Sequence, residues 1–309
     1  MNRPSECGKH PSMSAIALER PRARAVAVRR GIGQAMLFVL VGAALWGFWE
    51  GYRWLWMREH WTWPFMVTDT AMPHLHSILQ ALVDPARPGG VGPRLISILV
   101  DAALFTAKEA AVGFALGAIL GFALGILLAH FRMLQRGFLP WVVASQTVPI
   151  VVIAPMVVVW LNPKLPPGLQ DWGAVAVIAA YLTFFPVTIS TIRGLHSADR
   201  HALELMRSYA AGDWHVLWKL RVPAALPYIF AALKVSATAS VVGAIIGELP
   251  SSIQDGLGGQ IINYSQYYTI QPKGLLATNV IAAALGISFF LIVLVAEKIV
   301  VRRAPENVA

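Results

Sequence analysis

The sequence predicts an all-α membrane protein that crosses the bilayer several times. Of its 309 residues, 57% are hydrophobic and only 13% are charged, and the mean hydropathy is +0.60. Soluble domains do not usually have this composition. Six apolar runs match the length of about 20 residues that a helix needs to cross a hydrocarbon core of about 30 Å. The runs cover residues 33–50, 104–129, 138–160, 173–192, 224–247 and 275–297.

Lysine and arginine are distributed unevenly around these runs. If the N-terminus is cytoplasmic, the inside segments hold 17 of the 25 basic residues and the outside loops hold 6. Because cytoplasmic loops are enriched in basic residues, both termini and the loop 194–223 are predicted to lie in the cytoplasm. Seven of the basic residues lie in the segment 1–32, immediately before a span. This placement favours anionic lipid, and not nucleic acid, as the partner of the positive charge.

The runs divide the chain into four segments. A basic cytoplasmic tail at 1–32 is followed by the first transmembrane helix and an outside loop at 33–94, a membrane core at 95–303 and a short tail at 304–309. Six of the eleven tryptophans lie between residues 46 and 63. Indole rings concentrate at membrane interfaces, so we expect an anchoring role, with an aromatic substrate cage as the alternative.

The second run contains glycine at every fourth position. This period places the glycines on one stripe of a helix, where small residues let another helix approach closely. The stripe predicts helix packing, and it is equally compatible with a surface that slides during transport. Its members are Gly113, Gly117, Gly121 and Gly125.

Polar residues and prolines interrupt the third run. Prolines inside a membrane helix free backbone carbonyls that neighbours, water or a ligand must satisfy. Gln146, Thr147 and Pro149 are therefore candidates for a translocation path. Hydrogen bonding across a helix interface is the alternative interpretation of the two polar side chains.

Charged residues occur near the ends of several spans. Four of them are interpreted as structural charges: Lys108, Glu109, Lys234 and Glu297. Glu248 closes the fifth run on the outside, and Asp255 precedes a glycine-rich stretch. These two residues are candidates for an outer gate or for contact with a binding protein, and a solvated turn explains them as well.

The loop 194–223 is predicted to form two short helices. Apolar residues recur at helical spacing between residues 198 and 210, and polar residues occupy other faces. Gly212 is predicted to end this helix in a left-handed conformation, Asp213 to cap the next helix and Pro223 to stop it. Such a helix pair suits docking to another protein, and a pair lying on the lipid surface is the alternative.

The same loop carries a spaced motif. It reads Glu204-Leu205-Met206, three residues, Ala210, nine residues, and Leu220-Arg221-Val222-Pro223. The spacing resembles the EAA loop of ATP-binding-cassette (ABC) importer permeases, whose pattern is Glu-Ala-Ala, three residues, Gly, nine residues, Ile-x-Leu-Pro. Here the two alanines, the glycine and the leucine are replaced by other small or apolar residues. The resemblance implies coupling to an ATPase through Glu204, Leu205, Met206, Arg207, Ala210, Gly212, Asp213, Leu220 and Pro223.

The resemblance implies a type I ABC importer permease fold, with six transmembrane helices and a cytoplasmic coupling helix pair. Its implied partners are an ABC ATPase dimer, an extracytoplasmic substrate-binding protein and a second permease copy in the bacterial cytoplasmic membrane. A permease homodimer is expected, and a different second permease is also compatible with the residues. ATP and Mg²⁺ would bind the ATPase, so no cofactor is expected in this chain.

Catalytic motifs are absent from the sequence. It contains no G-x-x-x-x-G-K-[ST] phosphate loop, no H-E-x-x-H and a single cysteine, Cys7. We therefore expect neither enzymatic activity nor a metal site in this polypeptide. An ion-coupled secondary transporter is the rival class, although the central membrane region lacks an obvious coupling carboxylate.

The run from Val222 to Lys234 resembles the permease branch that serves nitrate, sulfonates, taurine and precursors of the thiamine pyrimidine. A pyrimidine or related heterocyclic vitamin precursor is the substrate that we expect. Sulfonate, taurine and nitrate are the alternatives.

Overall fold

The computed structural model describes residues 13–59, 68, 72–86, 92–170, 172–251 and 253–301. These ranges are almost entirely helical, and a single β-bridge between Pro85 and Arg94 is their one extended pairing. The structure confirms the all-α fold class. The helices are α1 (Met13–Glu59), α2 (Leu75–Val83), α3 (Leu95–His130), α4 (Arg132–Ser145), α5 (Ile150–Leu161), α6 (Gly173–His196), α7 (Arg200–Ser208), α8 (Asp213–Val216), α9 (Val222–Glu248), α10 (Leu257–Gln266) and α11 (Pro272–Val301).

The chain divides into two compact units, Met1–Leu75 and His76–Ala309. The first unit contains α1, which includes the first predicted run. Near the end of this unit, the Nδ1 atom of His74 lies 2.8 Å from a carboxylate oxygen of Glu50, and the indole of Trp49 donates to the carbonyl of Pro73 over 3.3 Å. Trp61 and Trp63 lie outside the described residues.

Four helical segments of the second unit are long and apolar enough to cross a membrane. They are α3, α6, the continuous segment Asp213–Glu248 and α11. The third predicted run is broken: Arg132–Ser145 and Ile150–Lys164 meet at 96°. The third predicted run, 138–160, therefore forms two helices that meet at a bend, and the bend lies at the polar and proline residues that interrupt the run in the sequence. Pro149 explains the break, because it has no backbone donor and restricts the residue before it to extended conformations.

The described residues thus hold four such spans, or five if the bent pair counts as one. The remaining predicted span, 33–50, lies within α1.

The centre of the second unit is a layer of three helices in which α6 lies between α3 and α9. Small residues occupy the crossing points of these helices. A buried cluster formed by Ala110, Val175, Ala179, Val241 and Ala244 joins all three helices. Such side chains allow backbones to approach closely, and this contact replaces the hydrophobic drive that is missing between helices in lipid.

The four glycines of the predicted stripe lie on the face of α3 that contacts α6. Gly117 shows how close this contact is: a Cβ atom added there would lie 2.7 Å from the Cβ of Thr183 and would also overlap the carbonyl oxygen of Ala180. Gly113 makes an equivalent approach to the preceding turn of α6, and Gly121 and Gly125 approach the two following turns. Only glycine permits this separation of the two helices.

A charged pair connects α9 with α11. The ammonium of Lys234 lies 2.8 Å from a carboxylate oxygen of Glu297, and both side chains are about three-quarters buried, with 24% exposed. Each charge is satisfied by the other within the domain. The interpretation of these two residues as structural therefore has a direct geometric basis in their ion pair.

Candidate coupling surface and outer gate

The loop 194–223 forms two short helices, and the first is α7. Its N-terminus is capped by Asp199, whose carboxylate accepts a hydrogen bond from the backbone N–H of Ala202 over 3.2 Å. Within α7, Arg200 Nε donates to Glu204 Oε1 over 3.1 Å, and both side chains are exposed. An exposed ion pair of this kind contributes little to stability. Glu204 therefore remains available to a partner.

The turn after α7 places the left-handed residue at Ala210. The backbone φ of Ala210 is 50°, and the N–H groups of Ala210 and Ala211 donate to the carbonyls of Arg207 and Met206. This is the hydrogen-bond pattern of a Schellman motif, in which the residue with positive φ is usually glycine. The glycine of the EAA pattern corresponds to Ala210, so the left-handed conformation explains why the pattern has glycine at this position.

The expectation that Gly212 adopts this left-handed conformation is wrong. Its φ and ψ are −66° and 153°, which any residue can adopt. Gly212 occupies the N-cap position of α8, and Asp213 is the first helical residue. Asp213 therefore does not cap the helix, but its negative charge is favourable beside the N-terminus. The sequence favours Gly212 because glycine adopts positive φ far more readily than alanine does.

Ala210→Gly is expected to stabilise the loop by about 1 kcal/mol, because a left-handed conformation costs an alanine about 1–2 kcal/mol and costs a glycine almost nothing. The matched substitution Gly212→Ala should change stability by less than about 0.5 kcal/mol. Hydrogen exchange of the Ala211 amide measures both effects. Slower exchange in Gly212→Ala than in Ala210→Gly would contradict the assignment.

The second helix of the loop continues into the membrane. The prediction that Pro223 stops it is wrong, since Asp213–Glu248 forms one helical segment. A π-helical turn at Leu217–Arg221 precedes the proline, and Val222 N–H donates to the carbonyl of Leu217. This wider turn accommodates a residue without a backbone donor.

Large apolar side chains face the solvent on this loop. Leu205, Tyr209 and Trp214 are 57%, 77% and 69% exposed, and the ring of Trp214 packs edge-on against that of Trp218 with centroids 5.6 Å apart. We call these four residues the coupling surface. An exposed apolar group of this size in a polar loop indicates a protein or membrane contact. Of its members, the sequence-based site included only Leu205, although aromatic residues in a charged loop were the available signal.

The candidate path residues lie at the break between α4 and α5. The hydroxyl of Thr147 donates to the carbonyl of Ala144 over 2.7 Å, and the hydroxyl of Tyr181 on α6 donates to the carbonyl of Ser145 over 2.7 Å. Both bonds satisfy carbonyls at the end of α4. Gln146 is exposed and Pro149 begins α5.

At the far end of α9, Glu248 is fully buried. Its carboxylate accepts hydrogen bonds from the hydroxyl of Thr106 over 2.6 Å and from the backbone N–H of Gly258 over 2.5 Å. The hydroxyl of Thr106 also accepts from the N–H of Leu257 over 2.9 Å. Glu248 therefore ties the turn before α10 to α3 and α9, whereas Asp255 in the same turn is exposed.

The glycine-rich stretch after Asp255 follows from this contact. A Cβ atom on Gly256 would overlap the carboxyl group of Glu248, and one on Gly258 would lie 2.7 Å from the Glu248 Cβ. These glycines allow the turn to close around the side chain. Their arrangement is tightly packed, which a freely solvated turn would not require.

A cavity of about 690 Å³ lies beside α10. Its described lining combines amide side chains, which both donate and accept hydrogen bonds, with aromatic rings. The lining residues are Ala86, Ile98, Gln260, Asn263, Tyr264, Tyr267, Ile270 and Gln271.

Comparison with known proteins identifies relatives among transport permeases. The chain is 33% identical over 153 residues to the formylaminopyrimidine transport permease protein ThiX of Halalkalibacterium halodurans, covering 50% of this chain and 58% of ThiX. It is 33% identical over 189 residues to the riboflavin transport system permease protein RibX of Chloroflexus aurantiacus, covering 61% and 65%.

A third relative is the putative aliphatic sulfonates transport permease protein SsuC of Bacillus subtilis, with 30% identity over 179 residues, covering 58% of this chain and 61% of SsuC. The chain thus spans about three-fifths of the length of the curated relatives it matches. Residues 118–304 match the family described as binding-protein-dependent transport system inner membrane component. The resemblance carried by the EAA spacing is confirmed, and the chain belongs to this family of ABC transporter permeases.

Proposed function

We propose that this chain is the permease subunit of an ATP-driven importer that receives a small solute from an extracytoplasmic binding protein. A separate ATPase dimer would hydrolyse ATP with Mg²⁺ and dock on the coupling surface. The observation that carries the proposal is the exposure of Leu205, Tyr209 and Trp214 on a loop with EAA spacing. Aromatic side chains that become buried when two proteins bind supply much of the binding energy of protein interfaces.

One continuous helix links the coupling surface to the outer gate. The segment Asp213–Glu248 has 36 residues, which corresponds to about 54 Å at 1.5 Å per residue. Movement of the ATPase against Trp214 would therefore be transmitted along a rigid element to Glu248. There it would change the contacts of Glu248 with Thr106 and Gly258. In this proposal Glu248 acts as the outer gate and the exposed Asp255 contacts the binding protein.

The proposed assembly contains two copies of this permease in the bacterial cytoplasmic membrane, with both termini and the coupling surface in the cytoplasm. The excess of basic residues on that side supports the orientation. Gln146, Thr147 and Pro149 are proposed to border the path, since the chain bends by 96° around them.

This orientation predicts a labelling pattern. In a variant without Cys7, a cysteine at exposed Gly168 should react with an impermeant thiol reagent in intact cells, and a cysteine at exposed Ser208 should react only after the cells are opened. Mass shifts on gels measure the labelling. Reaction at position 208 in intact cells would overturn the orientation and the ATPase docking that depends on it.

We further propose that the solute is a pyrimidine or a related heterocyclic vitamin precursor. Two relatives are named for transport of formylaminopyrimidine and riboflavin. The cavity beside α10 supports the same class, because amides such as Gln260 and Asn263 pair with the edge of a heterocycle and Tyr267 offers a ring face. Sulfonate, taurine and nitrate are the alternatives, and SsuC is the relative named for sulfonates.

Uptake by proteoliposomes tests the proposal. The permease is reconstituted with its ATPase, and uptake of labelled pyrimidine, riboflavin, taurine and nitrate is measured in the presence of the binding protein. Uptake that requires ATP and the ATPase is the expected result. Uptake by the permease alone, driven by an ion gradient, would instead establish a secondary transporter. Glu204→Lys in the coupling loop should reduce ATP-driven uptake without affecting insertion.

A further inference from the structure

Two buried glutamates, Glu109 within α3 and Glu248 at the end of α9, lie in the same part of the structure. Glu109 and Glu248 are both 0% exposed. Thr106, which donates to the Glu248 carboxylate over 2.6 Å, lies three residues before Glu109 on α3, so Glu109 and Glu248 share one buried site. The two oxygens of Glu248 accept the hydrogen bonds from Thr106 and Gly258 described above. Both oxygens of Glu109, in contrast, are buried without a hydrogen-bond partner among the described residues.

The surroundings of the pair offer little compensation for two negative charges. On α3 the nearest cation is Lys108, whose ammonium lies 4.2 Å from the centre of the Trp172 ring and is exposed. From α6 and α9 the neighbouring cluster presents Val175, Ala179 and Val241, and from α11 it presents apolar Leu285 and Phe289. The turn before α10 brings Asp255, which is exposed and adds no positive charge.

Two ionised carboxylates cannot both occupy such a site at low cost. Buried charges require pairing, and like charges in contact favour retention of a proton by one of them. Glu248 is the better anion, because two donors point at it. We propose that Glu109 and Glu248 together bind one proton, that this proton resides on Glu109, and that its O–H donates to the Glu248 carboxylate.

The bound proton completes the contacts that hold the turn before α10. With it, Glu248 accepts hydrogen bonds from Thr106, Gly258 and Glu109, and the pair carries a single negative charge. Release of the proton to water leaves two facing anions, whose repulsion separates α3 from Glu248. The seating of the turn, and with it the outer gate, therefore depends on protonation. This proton site does not depend on which solute is transported.

Linkage gives the sign of the effect. At a pH above the ordinary titration range of glutamate, Glu109 of an unfolded chain is ionised, whereas the proposed folded pair still holds one proton. The folded state then binds one proton more than the unfolded state, so stability falls as the pH rises. For a domain of this size, the midpoint of thermal unfolding should fall by about 2–4 °C per pH unit from this site alone.

Glu109→Gln tests the site, because glutamine is isosteric with the protonated carboxyl and cannot titrate. The full chain in lipid nanodiscs is unfolded thermally between about pH 6 and about pH 8, above the range where ordinary carboxyls titrate. The slope of the midpoint against pH should be shallower in Glu109→Gln by the amount given above. Asp101→Asn is the matched control, since it removes an exposed carboxyl from the same helix and should leave the slope unchanged.

Infrared spectroscopy detects the bound proton directly, so it distinguishes a proton site from a merely structural role of Glu109. The wild-type protein should show the carbonyl band of a buried protonated carboxyl near neutral pH, and Glu109→Gln should lack it. If Glu109→Gln does not fold, Glu109→Met removes the same titrating group. An unchanged slope, or persistence of the band in the variant, overturns the proposal. Stabilisation of the wild type by Na⁺ or Ca²⁺ without a carboxyl band would also overturn it, in favour of a cation between two carboxylates.

Discussion

Gly117→Leu is expected to eliminate most of the folded membrane domain. The added side chain would collide with the Thr183 Cβ and with the backbone carbonyl of Ala180, neither of which can rotate away. Overpacking costs about 1–3 kcal/mol where side chains can adjust, and more where helices must separate. Because α6 contacts both α3 and α9, separation of α3 from α6 at Gly117 also disturbs the interface between α6 and α9. We expect a large loss of monodisperse protein in size-exclusion chromatography.

The matched control is Gly286→Leu on α11. An added Cβ at Gly286 meets no atom within 4 Å, so the same change in side-chain volume should leave yield and thermal midpoint close to those of the wild type. Equal behaviour of the two variants would contradict the close approach of α3 and α6. Loss of both proteins would instead indicate that α11 is covered by another copy of the chain.

The membrane class and the packing stripe could be predicted because they depend on composition and period. An apolar run that is long enough to cross the bilayer has few possible structures in lipid other than a helix. A four-residue glycine period defines one helix face whatever lies opposite, although the sequence could not indicate that this partner is α6. The sequence indicates an interruption at Pro149, but it does not indicate the angle of 96° at which the two helices meet.

The errors in the coupling loop have a common origin. Residue preferences favoured Gly212 as the left-handed stop and Pro223 as the end of the second helix. In the structure, backbone hydrogen bonds place the turn at Ala210, and a π-helical turn carries the helix past Pro223. Propensity is a weak guide where the surrounding contacts determine the conformation.

The buried glutamate pair illustrates a different limit of prediction from sequence. Glu109 and Glu248 are 139 positions apart in the chain, and each alone is typical of a charge at the end of a span. Nothing local in the sequence indicates that the two side chains meet. Their contact arises from the packing of α3 and α9 around α6 and from a turn that only glycine can form around Glu248. A long-range contact of this kind becomes visible only in three dimensions.

Trp214→Ala is expected to weaken binding of the proposed ATPase partner by about 30- to 1,000-fold, the effect of losing an interface hot spot worth about 2–4 kcal/mol. The indole is 69% exposed in the isolated chain, so its removal should not destabilise the permease itself. It also removes the edge-on support of Trp218. Titration of the purified ATPase against the nanodisc-embedded permease measures the affinity.

Trp160→Ala provides the matched control, because Trp160 lies on α5 and is 65% exposed, which is close to the value for Trp214. Loss of a tryptophan outside the coupling surface should leave ATPase affinity unchanged. Trp214→Ala should, in addition, abolish substrate-stimulated ATP hydrolysis even at ATPase concentrations high enough to restore binding, if the ring transmits movement into the helix that ends at Glu248. Recovery of full hydrolysis at saturating ATPase would show that Trp214 serves docking but not the transmission of movement. Equal ATPase affinity of Trp214→Ala and Trp160→Ala would show that the coupling surface does not bind the ATPase.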